Sequence, residues 1–519
     1  MTAPSRGPRT GAKSSYSEGV AFELLSFVFV LVLGVGTSIA VARLYGIEVI
    51  GEYALVYGAL IALIIFSSVR EQAAFVRRIA VLQPRDPQVT GLWLATFCFS
   101  IALTVPIAAL VLGGVWLLFD GPIDRPDLFT PAAVMIGFGV AVYNTSWNLD
   151  RVLTGFRAGR ALLWLRVGQS LLTAAAAIVA GIIWGTTMAL VLAEVLSWVP
   201  ILLWRLVVVR RYMRFRVPWR EVREGFRALP EIVGFGLKLT PGTLSEAALS
   251  EAGAWIVGLL APIGAVGAYS RMWQLARRML DLRARIGEML FPTLVERRER
   301  GDLAGADRAL IDSVRYVLGG LMLVAAAGGG AAVGVTELFG PGFDQGATAL
   351  VLLLLVAPLA IVSHVQFQAM WALNRPMTSS VIAMVRMAVG LPLMVVLTWQ
   401  MGITGTALGQ LVGYGVGFAI ISVWTVRALS QPLLTLFSLR QMAGIVGGYG
   451  AGYAVARVID EQLAGAGGLV LALTAGSAAY LLVLAVVGGV ADRDRARAAR
   501  LWRRVRPAGP SAATLEPQL

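Results

Sequence analysis

Long apolar segments, separated by short polar ones, follow one another through most of the 519 residues. A helix that crosses a bilayer needs about 20 predominantly apolar residues. Phe22 to Val41, Val351 to Leu373 and Leu469 to Val490 are clear single spans. Eleven further segments lie near residues 51–69, 89–119, 129–149, 162–183, 187–209, 232–260, 264–292, 310–336, 378–399, 403–426 and 441–457. The pattern predicts an all-α polytopic membrane protein with about fourteen transmembrane helices.

Arginine and lysine in the polar segments give an independent test of this count. Short cytoplasmic loops of membrane proteins carry an excess of positive charge. With the N-terminus inside, most loop arginines fall in alternate, inner segments, whereas the outer loops contain Arg43, Arg125 and Arg457 beside several acidic residues. We therefore predict a multi-pass protein of the cytoplasmic (plasma) membrane with both termini in the cytoplasm.

The composition supports a membrane protein and limits the kinds of partner that it can bind. Hydrophobic residues make up 57% of the chain and charged residues 14%, which excludes a soluble globular protein. The net charge of +14 is spread over inner loops, so anionic inner-leaflet lipids explain it better than nucleic acid does, and no nucleic-acid partner is expected. Cys98 is the single cysteine, and we predict no disulfide framework, no metal site and no cofactor.

Two short motifs recur with an offset of about 216 residues. Residues 44–53 read LYGIEVIGEY and residues 260–269 read LAPIGAVGAY, while residues 185–190 match residues 402–408 less closely. An even number of spans separates the copies, so both enter the membrane in the same direction. This predicts two six-helix lobes related by a parallel internal repeat, an architecture typical of alternating access around a central cavity.

The repeat also predicts the organisation of the chain. Its parts are a cytoplasmic N-terminal tail (1–19), a first six-helix lobe (20–209), a basic cytoplasmic linker (210–231), a second six-helix lobe (232–426), two additional helices (427–490) and a basic cytoplasmic tail (491–519).

Charged residues inside predicted spans indicate where the cavity lies. Each basic residue at a helix centre costs about 2.5–3.5 kcal/mol, a cost that is not expected in helices facing only lipid. Within the span 264–292, polar residues recur every three or four positions and share one helical face. They are Arg271, Gln274, Arg278, Asp281, Arg285 and Glu288. This stripe predicts a water-filled cavity; the alternative is a set of intrahelical ion pairs at an interface between the lobes.

The cavity wall is predicted to be basic. The expected substrate-binding residues are Arg271, Arg278, Arg285, Lys238 and Arg386. A guanidinium binds a diphosphate through bidentate, charge-assisted hydrogen bonds, so an anionic substrate is favoured.

Acidic residues and a helix-breaking pair complete the candidate site. Carboxylates that temper the basic field or couple transport to protons or sodium are expected at Glu246, Glu251, Asp281 and Glu288. Pro241 and Gly242 lie inside a span, where they predict either a gating hinge or a static kink.

The repeated motifs resemble a known family. Residues 42–46 and 51–55, and residues 263–270 followed by Phe291 and Pro292, are similar to Wzx-type polysaccharide and oligosaccharide-lipid flippases of the multidrug/oligosaccharidyl-lipid/polysaccharide exporter superfamily. The resemblance implies translocation of an undecaprenyl-diphosphate-linked oligosaccharide. It also implies a lipid-linked glycan and membrane lipids as partners, with a polysaccharide polymerase as a further candidate.

Other classes fit the sequence less well. An enzyme acting on lipid-linked sugars needs a sizeable outer loop, and a nucleotide-driven pump needs a phosphate-binding loop followed by Lys and Ser or Thr; the chain has neither, so an enzyme is not predicted. A cation-coupled multidrug exporter and a lipid II flippase remain the alternatives. The basic excess within the spans argues against the first, since cationic drugs favour an acidic pocket.

Overall fold

The computed structural model describes residues 16–373, 375, 377–429 and 436–487. Within that part the regular structure is entirely helical, and eleven helices are long and apolar enough to cross a membrane. The predicted all-α membrane fold is therefore confirmed. The helices are α1 (Tyr16–Phe66), α2 (Glu71–Ile79), α3 (Pro87–Asp120), α4 (Phe129–Phe138), α5 (Asn144–Gly155), α6 (Gly159–Ile183), α7 (Thr187–Val209), α8 (Trp219–Leu260), α9 (Ile263–Leu280), α10 (Leu282–Glu299), α11 (Leu303–Gly330), α12 (Ala332–Glu337), α13 (Ala347–Ala372), α14 (Met377–Met401), α15 (Ile403–Leu429), α16 (Leu439–Gln462) and α17 (Gly465–Val486).

The eleven apolar helices agree with the fourteen predicted spans once three special cases are considered. Helix α1 contains two spans, which a kink at Gly46 (φ 78°, ψ 170°) separates. The spans predicted at 232–260 and 264–292 correspond to α8 and to α9 with α10, which carry more charge than the others. Helix α8 also begins earlier than predicted, at Trp219, so the second half of the predicted linker is helical.

The prediction of one continuous helix over 264–292 is wrong. The helix is interrupted at Asp281, whose backbone keeps φ −63° and ψ −19°, between the end of α9 at Leu280 and the start of α10 at Leu282. The side chain of Arg283 donates from Nε to the carbonyl oxygen of Leu280 across 3.3 Å. This hydrogen bond satisfies a carbonyl group near the end of α9, as the ends of helices require.

The internal repeat is visible in the contact between the lobes. A Cβ atom added to Gly51 would lie 2.1 Å from the carbonyl oxygen of Ile263, and one added to Gly267 would lie 2.1 Å from the carbonyl oxygen of Ile47. The repeat exchanges these two contacts, because it pairs Gly51 with Gly267 and Ile47 with Ile263. The glycines therefore allow α1 and α9 to cross at backbone contact.

The second repeated motif has the same backbone geometry in both copies. Gly185 has φ 61° and Gly402 has φ 60°, a left-handed conformation that glycine adopts without steric cost. Helix α7 begins just after the first glycine and α15 just after the second. The two copies therefore form equivalent turns.

Buried apolar residues show how the lobes are arranged. At the end of the molecule that contains Gly46, a single core combines residues of α1, α4 and α7 with residues of α8, α9 and α13. At the opposite end there are two cores, one on α2, α3, α5, α6 and α7 that also includes Ile232 of α8, and the other on α10, α11, α13 and α15. The lobes thus share one core at the Gly46 end, whereas at the other end α8 packs on the first lobe and the remaining helices form two cores.

The last two described helices form an appendix to the second lobe. Helices α16 and α17 pack against each other and against α11. Tyr480 of α17 is buried and donates to the carbonyl oxygen of Gly319 in α11 across 2.8 Å. The domain boundaries given above stay predictions.

Candidate functional site

A cavity of about 310 Å³ lies between the two lobes. From the first lobe it is lined by the end of α1, the α1–α2 turn, α3 and α5, and from the second lobe by α8 and α9. Its two charged lining residues are Arg70 and Arg277, which come from different lobes. The cavity is therefore basic, and its charge is divided between the two halves of the molecule.

Arg70 connects the lobes at the cavity. Its Nε donates to Oγ1 of Thr243 in α8 across 3.2 Å, and its backbone is left-handed, with φ 57°. Such a conformation is strained in a residue other than glycine and persists only where the surroundings enforce it. Here α8 packs directly on the turn, since a Cβ atom on Gly236 would lie 2.1 Å from the carbonyl oxygen of Val69.

Arg277 projects from α9 and is held by a carboxylate of α8. Its Nη1 donates to Oε1 of Glu251, and the exposed fractions of the two side chains are 45% and 21%. The guanidinium is thus open to the cavity while the carboxylate behind it offsets part of its charge. Sequence periodicity missed Arg277, because it lies one position away from the predicted stripe.

The stripe residues of α9 meet α1 instead of the large cavity. Arg271 is 7% exposed, and its Nη1 donates to Oγ of Ser38 across 3.0 Å and to Oε1 of Gln274 across 2.8 Å. Arg278 lies against Gly34, where an added Cβ atom would be 3.0 Å from Nη2. These residues line a narrow cleft of about 10 Å³. Substrate binding by Arg271 and Arg278 stays a prediction.

Arg386 is enclosed in the second lobe with Glu246. The arginine is 2% exposed, and its Nη2 contacts the Glu246 carboxylate. Glu246 also accepts from Arg283 Nη1 across 2.7 Å and from the Tyr414 hydroxyl across 3.3 Å, while the Arg386 guanidinium lies 4.4 Å from the centre of the Tyr414 ring. Glu246 and Glu251 therefore offset the positive charge of arginines. These arginines are not members of the predicted α9 stripe.

Other predicted residues are only partly described. The side chains of Lys238, Arg285 and Glu288 lie outside the described part of the structure, and Asp281 is exposed at the junction of α9 and α10. No role of these four residues is tested by the structure.

The predicted hinge lies within a continuous helix. Helix α8 runs through Pro241 and Gly242, and Ser245 Oγ donates to the Pro241 carbonyl oxygen across 2.9 Å. A Cβ atom on Gly242 would lie 2.6 Å from Oγ of Ser380 in α14. The glycine thus permits close packing of α8 on α14, and a hinge at this point stays a prediction.

A neutral polar network lines the first-lobe side of the cavity, and sequence reasoning missed it. Asn144 Oδ1 accepts from Ser100 Oγ across 2.9 Å and from Asn148 Nδ2 across 2.8 Å, and Asn144 Nδ2 donates to Thr104 Oγ1 across 3.3 Å. Tyr143 and Trp147 stack beside it, with ring centres 6.0 Å apart. The signal in the sequence was the run of polar and aromatic residues at 143–148 inside an apolar span.

Comparison with known proteins relates this architecture to a family and a fold. The model of the family described as "Polysaccharide biosynthesis protein" matches residues 17–297, which is more than half of the chain. A comparison with curated protein sequences finds no significant match.

Three solved structures have a similar fold. The lipid II flippase MurJ, in an inward closed conformation, has a TM-score of 0.66 at 10% identity over 90% of this chain and 98% of its own. An inward-facing multidrug resistance MATE family transporter of the MOP superfamily has a TM-score of 0.58 at 16% identity over 79% of this chain and 98% of its own. A MOP superfamily transporter from Pyrococcus furiosus has a TM-score of 0.59 at 14% identity over 82% and 99%.

At such low identity these structures show a common fold. The family match covers the first lobe and continues through α8 and α9, which together enclose the cavity. The chain belongs to the polysaccharide biosynthesis protein family, and it is a multi-pass membrane protein with a fold similar to that of MOP superfamily transporters.

Proposed function

We propose that the protein moves a lipid-diphosphate-linked oligosaccharide, with undecaprenyl diphosphate as the carrier, across the cytoplasmic membrane. The observation that carries this proposal is the basic cavity, to which the first lobe contributes Arg70 and the second lobe contributes Arg277. Membership of the polysaccharide biosynthesis family supports it.

The chemistry of the cavity suits a diphosphate. An anionic, strongly hydrated headgroup cannot enter hydrocarbon unless protein donors replace its water. Guanidinium groups supply paired N–H donors in the geometry that phosphate oxygens require. Release must also be possible, and the ion pair of Arg277 with Glu251 provides a competing acceptor for the same donors.

We propose that transport uses alternating access, which the arrangement of the lobes supports. The shared core joins the lobes at the Gly46 end, whereas at the Arg70 end their cores are largely separate and α8 packs on the α1–α2 turn. The excess of positive charge in alternate loops assigns the Arg70 end to the cytoplasm. We propose that the cavity receives substrate from the cytoplasmic side when α8 moves away from the α1–α2 turn, and that rocking of the lobes then opens it to the other side.

Reporter fusions are expected to reproduce this topology. Fusions after Asp124, Phe343 and Glu461 should be active outside the membrane, and fusions after Arg220 and Arg300 should be active inside, because the inner segments carry most of the basic residues. Paired phosphatase and fluorescent reporters distinguish an external fusion site from a cytoplasmic one. An external C-terminal fusion would contradict fourteen spans with both termini inside.

The energy source and the partners belong to the same proposal. Glu246 and Glu251 are candidates for proton or sodium coupling, since each is a carboxylate within a helix bundle and paired with arginine. Cation binding would compete with those ion pairs and so alter the charge of the cavity. We also propose that membrane lipids surround the transporter, that a polysaccharide polymerase receives its product, and that the chain itself catalyses no reaction.

Deletion of the coding sequence is expected to separate this function from drug export. Without the transporter, the lipid-linked glycan should accumulate in the inner leaflet and surface polysaccharide should be lost. Both are measured by lipid extraction and by surface labelling, with a complemented strain as the control. Normal surface glycan together with a new sensitivity to cationic drugs would contradict the proposal and favour a multidrug exporter.

A further inference from the structure

The two walls of the cavity differ in their chemistry. The second-lobe wall holds Arg277 and Thr243, whereas the first-lobe wall beyond Arg70 consists of hydroxyl, amide, aromatic and aliphatic side chains. Arg70 and Arg277 account for the charged groups among the residues that line this cavity. A diphosphate can form charge-assisted hydrogen bonds with the two arginines. The uncharged wall offers it no such bonds.

A local departure from the α-helix presents this neutral wall. The chain forms a π-helical turn at Gly139–Tyr143, between α4 and α5. The extra residue in such a turn rotates the following helix by roughly 100° about its axis, and π-turns occur often at functional sites. Gly139 fits closely here, since an added Cβ atom would lie 2.5 Å from Leu60 Cδ1. The turn thus allows α4 to pack on α1 while Asn144 and Trp147 line the cavity.

The polar groups of the wall are suited to bind hydroxyl groups. Asn144 lies at the centre of the network with Ser100 and Thr104, so its amide is held in one orientation. Primary amides and hydroxyls each provide donors and acceptors together, which is what a sugar hydroxyl, itself a donor and an acceptor, requires.

An aromatic strip adjoins these groups. Tyr143 and Trp147 stack at an interplanar angle of 17°, and the Arg151 guanidinium lies 4.2 Å from the centre of the Trp147 ring. Trp147 nevertheless remains 39% exposed and lines the cavity. Aromatic side chains with one polar atom combine apolar contact with hydrogen bonding, as do the C–H and O–H groups of a pyranose.

We infer that the first-lobe wall formed by Ser100, Thr104, Tyr143, Asn144 and Trp147 is a binding subsite for uncharged sugar residues of the transported glycan. The inference rests on the proposed function and deepens it. Arg70 and Arg277 bind the diphosphate, and the neutral wall binds the adjoining sugar, so the two parts of the substrate are recognised by separate groups.

Binding of two probes to the purified full-length protein separates these roles. One probe is the lipid-diphosphate-linked glycan extracted from a strain that lacks the protein, and the other is undecaprenyl diphosphate without sugar. Asn144→Ala and Trp147→Ala are each expected to raise the Kd for the glycolipid about tenfold and to leave the Kd for undecaprenyl diphosphate unchanged. Arg277→Ala is expected to raise both.

The matched control is Trp116→Ala, which removes a half-exposed tryptophan of α3 that is not among the lining residues; it should change neither Kd. Trp147→Ala keeps the test valid if Asn144→Ala does not fold, because Trp147 is outside the hydrogen-bonded network. An equal rise in Kd for both probes, or no rise for the glycolipid, overturns the inference. The inference is also overturned if the wild-type protein binds undecaprenyl diphosphate but not the glycolipid. If the wild-type protein binds neither probe, the proposed function itself is contradicted.

Discussion

Alanine at position 51 or 267 is expected to prevent closure of the lobes at the Gly46 end and to abolish transport. The added Cβ atom would lie 2.1 Å from a carbonyl oxygen of the other lobe in either case. Backbone atoms cannot rotate away as a side chain can, so α1 and α9 must separate. Overpacking in a well-packed core typically costs about 1–3 kcal/mol, and here the shared core is disturbed as well.

The measurements are the thermal unfolding midpoint in detergent and the amount of surface glycan in a complemented deletion strain. Gly36→Ala is the matched control, because it makes the same change in α1 where an added Cβ atom meets nothing within 4 Å. If Gly51→Ala and Gly267→Ala behave like Gly36→Ala in both measurements, the backbone contact between α1 and α9 is not required for stability or transport.

Arg386→Ala is expected to destabilise the second lobe by about 2–3 kcal/mol, below the cost of about 3–5 kcal/mol for breaking a fully buried ion pair, because Glu246 is partly exposed and keeps Arg283 as a partner. Arg386 is 2% exposed, and its loss leaves the partly buried Glu246 carboxylate, 26% exposed, with only Arg283 as a charged partner among the contacts described. The variant should therefore unfold at a lower denaturant concentration than the wild type.

Two further variants make this test specific. The double variant Arg386→Met with Glu246→Gln removes both charges and should recover part of the lost stability, because only Arg283, whose side chain is 33% exposed, then loses its carboxylate partner. Arg220→Ala breaks an exposed pair with Glu224 and should cost about 0–1 kcal/mol. An Arg386→Ala protein that is as stable as Arg220→Ala would show that the pair of Arg386 with Glu246 does not stabilise the second lobe.

Much of the fold could be predicted from the sequence because the bilayer imposes a length and a polarity on each helix. The repeat was equally readable, since the crossing of α1 and α9 requires glycine at positions 51 and 267. The predicted helix boundaries were wrong where the helices contain charged residues. The lengths of the apolar segments could not locate the interruption at Asp281 or the start of α8 at Trp219, because both positions lie among charged residues.

The candidate site was harder to predict, for a physical reason. Helical periodicity shows which residues share a face, but it does not show which neighbour covers that face. In α9 the stripe with Arg271 and Arg278 is covered by α1, and Arg277 on the adjacent face reaches the cavity. Asn144 and Trp147 escaped notice because they are uncharged and because a π-turn sets their orientation.

The central claim is that this cavity carries a lipid-diphosphate-linked glycan across the membrane. The most direct measurement uses liposomes that contain the purified protein and the labelled glycolipid extracted from a deletion strain. A membrane-impermeant reagent that oxidises sugar diols is added outside, and the modified fraction is followed over time.

Wild-type protein is expected to make glycolipid from the inner leaflet accessible. Replacement of both Arg70 and Arg277 with alanine should slow this transfer roughly tenfold to a hundredfold, since charge-assisted hydrogen bonds to the diphosphate are lost. Lysine at both positions should restore it only in part, because the fork of the guanidinium is lost, and Arg220→Ala should leave the rate unchanged. Glycolipid that stays as inaccessible with wild-type protein as in protein-free liposomes would contradict the account.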